Sequence, residues 1–303
     1  MSFRKDHLRY FVTVAEEGQI TRAARRLAVA QPALSQAIAQ LETELGLKLL
    51  ERHTRGVKLT AEGEAFLAKA RAVVDHERDV RLTAQSLARA AKSILEVGFV
   101  GPPPLMTSPE LFGAFAAAHP EVEVSFRDLP FPCGTTRSWL EPVDVAICHC
   151  PQVEPGVRIQ ALRSEPRAIV VPESHRLAGS EQASATETLG ERFIGYDPSV
   201  QPAWAAFHSL DDVRGGPPED PTEDEVGTSM QMLSLLGGRR GVTAVPYCDA
   251  RIVAQVLRGT AAVKLADAAP AAISLVWLAE RENAIVAALA QVALERSSAR
   301  ADG

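Results

Sequence analysis

Gln31, Ala33, Ser35, Gln36 and Gln40 fall within ten residues and share one capability, contact with the edges of base pairs. Glutamine bonds bidentately to adenine, serine bonds several base edges, and alanine touches the thymine methyl. Arg22, Arg25 and Arg26 precede them, and Arg52, Arg55 and Lys58 follow. These cations suit phosphate, or the concentrated negative potential of a minor groove. Two blander readings stand beside this one. The segment could be a helical hairpin with an ordinary polar face. Each arginine could be a solvated charge, with Arg52 paired inside its own domain.

A second cluster, Cys148-His149-Cys150, has the residue types of a metal ligand set or of an oxidant-reactive pair. Cys148 and Cys150 share one face of a strand, with Cys133 close enough in sequence to approach, and Cys248 is the remaining cysteine. No second close-set Cys/His cluster completes a zinc site, and isolated cysteines of a reducing compartment commonly serve as small buried hydrophobes. The chain has no P-loop, no GxSxG elbow and no HExxH, so an enzyme is not expected. His76, His119, His175 and His208 are expected on solvated surfaces or at element ends.

The elements that must position these groups follow from periodicity. Ile20, Ala23, Ala24 and Leu27 make one apolar helix face, and Ala28-Val29-Ala30 a short turn. Pro32 fits the first turn of the next helix, with Gln31 at its cap. Leu34, Ile38, Leu41 and Leu45 form a buried stripe on that helix, opposite the amide-bearing face. Upstream, Leu8, Phe11, Val12 and Ala15 predict another helix closed by Gly18, so three small helices share one core. After Gly46, LKLLERHTRGVKLT predicts two short strands around a basic turn. Together these elements describe a helix-turn-helix with a wing. Thr60 then caps a long helix in which Phe66, Val73, Val80 and Leu87 recur every seven residues. Such a stripe packs along a partner helix or, alternatively, on its own domain.

Charge divides the chain. Residues 1–92 hold 16 Lys+Arg against 11 Asp+Glu, a balance of +5, while the whole chain stands at −6 and the remainder at −11. A basic front on an acidic body separates a part that meets nucleic acid from one that does not. No apolar run is long enough to span a bilayer and no signal peptide opens the chain, so the cytoplasm is the expected location.

The stretch HLRYFVTVAEEGQITRAARRLAVAQPALSQAIAQLETELGLKLLERHTRGVKLTAEG resembles the N-terminal domain of LysR-type transcriptional regulators. The resemblance rests on Arg-Tyr-Phe, Thr-x-Ala-Ala, the Gln-Pro-Ala-Leu-Ser turn, Glu-x-x-Leu-Gly and Leu-Thr-x-x-Gly. It adds Thr21 and Pro32 to the DNA-facing set. Two positions depart from the family: Gln19 replaces a capping serine, and Gln36 stands where arginine is common. The resemblance implies that the long helix dimerises, and that dimers pair on two-part promoter DNA, with RNA polymerase a further partner. It implies no cofactor beyond a small organic effector, a carboxylate among the candidates.

The expected fold is α/β overall. It comprises a winged helix-turn-helix DNA-binding domain (1–60), a linker or dimerisation helix (61–91) and an effector-binding domain (92–303) of periplasmic-binding-protein-like form. Lobe I spans about 92–164 and 267–303, and lobe II about 165–266. ILEVGFV, EVEVSF, VDVAICHC, RAIVVP, FIGYDP, GVTAVP and AISLVWLAE read as strands, alternating with helices, which implies mostly parallel layers. In such folds ligands sit beside strand ends and helix starts. That selects Gly101, Pro102, Thr107 and Ser108, then Leu129 and Phe131, then Cys148. From the other lobe come Pro198, Ser199, Thr228 and Ser229. Free N–H groups at helix starts suit a carboxylate, though Thr107, Ser108, Thr228 and Ser229 serve equally as plain caps. FVG at the first strand end is similar to the family branch that senses aromatic-degradation intermediates such as muconate. That branch places hydroxyls where Pro102 and Phe131 stand, so this pocket reads as tighter and more apolar. The alternatives are a redox- or metal-responsive regulator using Cys148 and Cys150, and a solute-binding module without DNA function.

Overall fold

The computed structural model describes residues 5–53, 56–103, 106, 108–149 and 153–301. Two compact units divide between Gln85 and Ser86.

In the first unit, α1 (Lys5–Glu17), α2 (Ile20–Arg26) and α3 (Gln31–Leu45) precede β1 (Leu50–His53) and β2 (Gly56–Leu59). The expected stripes meet in one core: Leu8, Phe11 and Val12 from α1, Ala23 and Ala24 from α2, Leu34, Ile38 and Leu41 from α3. Gly18 (φ +62°) and Gly46 (φ +68°) end α1 and α3 in the left-handed region, which glycine enters without steric cost. Strands β1 and β2 pair antiparallel, Leu50 opposite Leu59. The wing is tied to the α1–α2 turn by Val57 N–H donating to Gly18 O (2.9 Å). A Cβ on Gly56 would lie 2.4 Å from that same carbonyl, so only glycine permits the approach. Buried Glu42 organises the turn after α3, accepting from Leu49 N (2.9 Å), Leu50 N (3.1 Å) and Lys48 Nζ (2.7 Å). Burial alone would raise its pKa; these donors hold it below the usual carboxylate value.

Helix α4 (Ala61–Ala91) starts on the expected cap, Gly63 N–H donating to Thr60 Oγ1 (2.9 Å). Its stripe divides. Phe66 packs against Phe11 (ring centroids 5.6 Å) within the first unit's own core, so it is not a free dimerisation contact. Val73, Val80 and Leu87 are 51, 70 and 62 % exposed. The end of α4 is held by Arg89, which donates twice to Asp144 (2.9 and 2.6 Å).

The second unit contains two main sheets. The first joins β3 (Ile94–Phe99), β4 (Glu123–Asp128), β5 (Val145–Cys148), β6 (Val157–Glu165) and β13 (Ala271–Leu278) in the order β4-β3-β5-β13-β6. The second joins β7 (Arg167–Pro172), β8 (Gln182–Ala183), β11 (Thr243–Pro246) and β12 (Thr260–Leu265) in the order β11-β7-β12-β8. A two-residue pair, β9 (Gly195–Tyr196) and β10 (Glu225–Val226), lies apart. The helices are α5 (Pro109–Ala118), α6 (Thr136–Trp139), α7 (Pro202–Ser209), α8 (Asp211–Arg214), α9 (Ser229–Gly237), α10 (Tyr247–Val256) and α11 (Ala284–Ala301).

Both main sheets are mixed rather than mostly parallel. β3 runs parallel to β4 and β5, but β13 is antiparallel to β5 and β6, and β7 is antiparallel to β11 and β12. The cause lies in the two passages between sheets. The chain leaves the first sheet at Glu165 and re-enters at Ala271, and these two residues are register partners. Strands joined at the same sheet end must run in opposite directions, whereas parallel neighbours need a full crossover. The expected strand FIGYDP shortens to β9, and β6, β12 and α10 are additional elements. Among the described residues no helix is long and apolar enough to cross a membrane.

Candidate functional site

Helix α3 presents Gln31, Pro32, Ala33, Gln36 and Gln40 to solvent, with Ser35 half-buried. Ala30, not Gln31, is the cap residue, and no side chain caps the helix. Gln31 therefore belongs to the exposed face, where its amide nitrogen donates to Ser35 Oγ (3.1 Å). Gln40 donates to Glu44 Oε1 (3.1 Å). These bonds order the row and leave the amide carbonyl oxygens as acceptors and the Ser35 hydroxyl proton as a donor. Gln19 caps α2 without a side-chain bond. Thr21 and Arg22 are exposed at that helix start, and Arg22 donates to Glu17 O (2.5 Å). Arg26 turns to Glu16 (3.0 Å) and Glu17 (3.1 Å), which ties it to the protein's own carboxylates. Lys58 is exposed on β2, and Arg52 lies on β1 opposite Val57. Arg55 lies outside the described residues.

The second site is a cavity of about 320 Å³ between the two sheets of the second unit. The first-sheet side contributes Phe99, Gly101, Pro102, Asp128, Phe131 and His149. Helices α7, α9 and α10 contribute Trp204, His208, Ser229, Met232, Asp249 and Val253. Of the sequence-predicted residues, Gly101, Pro102, Phe131 and Ser229 line this cavity. Cys148 lines a smaller adjoining pocket with Arg163, Cys248 and Asp249. The remaining ones are placed elsewhere. Leu129 is buried in the core shared by the two lobes. Pro198 and Ser199 are exposed, and Ser199 is bonded to Asp197 (2.6 Å). Thr228 caps α9 by accepting from Gln231 N (3.3 Å). Ser108 accepts from Arg163 Nη1 (2.9 Å) in a separate groove. Thr107 and Cys150 lie outside the described residues. Gly101 N–H, which follows the first strand, donates to Ser229 Oγ (3.0 Å). Among the described residues no group of three or more His, Cys, Asp and Glu is arranged to hold a metal ion.

His208 sits in the last turn of α7, an element end as expected, yet it is buried rather than solvated, and its Nδ1 lies 2.6 Å from Ala244 O. A carbonyl only accepts, so Nδ1 carries the proton, and the Nε2 of neutral His208 accepts from His149 Nε2–H (3.0 Å). This bond joins the end of β5 to α7, one residue from each lobe. Burial pushes His208 down to about 3, and drives His149 well below its ordinary value with His208 adding to the shift, so both rings are neutral. Trp204 stacks on His149 (centroids 4.2 Å). His175 is likewise not solvated: it is half-buried and faces Glu191 (3.0 Å). Asp249, on the unanticipated α10, is pushed up to about 7, chiefly by burial. Sequence reasoning missed Asp249, Trp204 and the histidine pair. The one available signal was His149 inside a buried-strand run, where a polar ring requires a partner.

Residues 6–64 match the bacterial regulatory helix-turn-helix protein, lysR family, and residues 88–298 match the LysR substrate binding domain. The chain is 32 % identical over 243 residues to the HTH-type transcriptional regulator AlsR of Bacillus subtilis (strain 168), covering 79 % of each. It is 29 % identical over 277 residues to the HTH-type transcriptional regulator BenM of Acinetobacter baylyi, covering 91 % of this chain and 89 % of BenM. Among solved structures, it is similar to full-length CbnR complexed with its target DNA (25 % identity, TM-score 0.52, covering 97 % of this chain and 100 % of CbnR). It is also similar to full-length BenM (25 % identity, TM-score 0.51, covering 99 % and 98 %). The winged helix-turn-helix, the two-lobed α/β body and these matches lead to one conclusion: the chain belongs to the LysR family of DNA-binding transcriptional regulators with an effector-binding C-terminal domain.

Proposed function

We propose that this protein is a transcriptional switch whose grip on promoter DNA is set by a small molecule held in the interlobe cavity. Gln31, Pro32, Ala33, Ser35, Gln36 and Gln40 read base edges, while Thr21, Arg22, Lys58, Arg52 and Arg55 contact phosphate or the minor groove. Val73, Val80 and Leu87 pair two chains along α4, and dimers associate as tetramers on two-part sites, in the cytoplasm and within reach of RNA polymerase. Lobe I is 92–164 with 267–303, and lobe II is 165–266.

One observation carries the switch. The cavity takes its walls from both sheets, and among the described residues the chain passes between those sheets where β6 meets β7 and where β12 meets β13. A ligand touching both walls therefore favours one lobe arrangement over another. Differential affinity of that kind is what lets a ligand shift a conformational equilibrium. The bent arrangement of bound DNA changes with it. Gly101, Pro102, Phe131 and Ser229 are the effector contacts retained from the sequence, joined by His149, Trp204, His208 and Asp249.

The test is a gel shift and footprint on the DNA upstream of the gene, with and without candidate ligands. Binding should weaken steeply with salt, and a ligand that fills the cavity should alter the footprint. A footprint unaltered by every cavity-binding ligand would refute the switch.

A further inference from the structure

The cavity's lining is almost wholly apolar, and its few ionisable groups include no permanent cation. Among the described lining residues there is no lysine or arginine; the groups that titrate are Asp128, Asp249, His149 and His208. Neither histidine supplies positive charge: the bond to Ala244 O leaves His208 Nε2 as an acceptor, hence a neutral ring, and full burial beside His208 keeps His149 uncharged. Arg163 is in the adjoining pocket, where it donates to Glu165 (2.8 Å) and Ser108 (2.9 Å). A carboxylate ligand would thus lose its water, gain no cation and face two carboxyl groups. The N–H of Gly101 is already spent on Ser229.

The walls favour a different ligand. Phe99, Phe131 and Trp204 offer aromatic surface, and Met106, Met230 and Met232 are adaptable apolar contacts that also pair with rings. Met106, Met230 and Val256 keep more than half of their surface exposed, which extends the apolar lining to solvent. An apolar cavity of roughly 150 Å³ accepts benzene, so about 320 Å³ suits a substituted ring or two fused rings. Asp249 provides the one inward polar anchor on α10, an acceptor for a hydroxyl donor; its own Oδ1 accepts from Cys248 Sγ (3.3 Å).

We infer that the cavity selects an uncharged aromatic molecule bearing a hydroxyl donor, anchored on Asp249, and rejects aromatic carboxylates. The inference rests on the cavity being the effector site proposed above. The test uses the full chain with 2-naphthol, 2-naphthoate and 2-naphthylmethylamine, one ring system in three charge states, by calorimetry at about pH 8, where the Asp249 carboxyl is mostly ionised. 2-Naphthol should bind at least about tenfold more tightly than either ion. Asp249→Asn, nearly isosteric, should narrow the gap to 2-naphthoate several-fold. Val253→Trp should abolish 2-naphthol binding by filling the space, its fold checked by a cooperative melt. Tighter binding of 2-naphthoate or of the amine, binding indifferent to both substitutions, or no binding of any probe would overturn the inference. If 2-naphthol and every other molecule that binds in the expected pattern leave the DNA footprint unchanged, the switch fails while the ligand class stands.

Discussion

Val73→Glu combined with Val80→Glu tests how two chains join. In the single chain these valines are 51 and 70 % exposed, so the substitutions fall on its surface rather than in its core. Fully burying a valine is worth roughly 1.5–3 kcal/mol. Covering the exposed fraction of both residues on both chains of a symmetric pair therefore contributes roughly 5 kcal/mol. That corresponds to about three to four powers of ten in the dimerisation constant, before the repulsion of facing carboxylates is added. Sedimentation velocity at micromolar concentration should show monomers, and gel shifts should lose the affinity gained by gripping two half-sites at once. Helix content should match the parent, and the unfolding free energy of the single chain, with the concentration-dependent contribution of dimerisation set apart, should change by only about 0.5 kcal/mol, as for other exposed positions. Phe66 is left intact because it packs on Phe11, and its loss would unfold the reading head instead. Dimers that persist unchanged at the same concentration would refute the assignment of this stripe.

Gln36→Ala should leave folding untouched, since the side chain is exposed, and should relax preference at one base pair by about 1–3 kcal/mol in a binding-site selection. Glu42 has a depressed pKa, so its contribution to stability is present above its unfolded value near 4.3 and is lost as pH falls through the lower folded value. Urea denaturation of Glu42→Gln against pH should show reduced stability at neutral pH and a shallower acid decline. Asp249 behaves oppositely. Raised to about 7 against an unfolded value near 3.9, it favours the folded state when protonated, so its contribution decays as pH rises between those values. Arg163 opposes that shift and Glu165 reinforces it. The difference in Tm between the parent and Asp249→Asn should therefore vary with pH across that window and be flat above it.

The reading head was legible because its determinants are contiguous. The spacing of Leu34, Ile38 and Leu41 states which face of α3 is buried, and what remains must face out. Pro32, Gly18 and Gly46 mark the helix limits through backbone preferences that need no distant partner. The second unit was legible only as alternating elements. Strand direction there depends on where the chain leaves and re-enters a sheet, and no local pattern encodes that, so β13 and β6 were not expected to run against their neighbours.

Periodicity likewise says that a helix face is apolar without saying what covers it. Phe66 and Val73 occupy equivalent positions of one repeat, yet one fills its own domain's core and the other remains exposed. The cavity shows the same division. Gly101, Pro102, Phe131 and Ser229 could be chosen from strand and helix ends. The His149–His208 bond joins residues 59 apart in sequence, and Asp249 comes from a further helix. A local stretch of chain sets hydrophobic faces, caps and turns, because these are decided within a few residues. Which charges face each other across a buried space is decided by the tertiary fold, because burial and pairing exist only once distant segments have met.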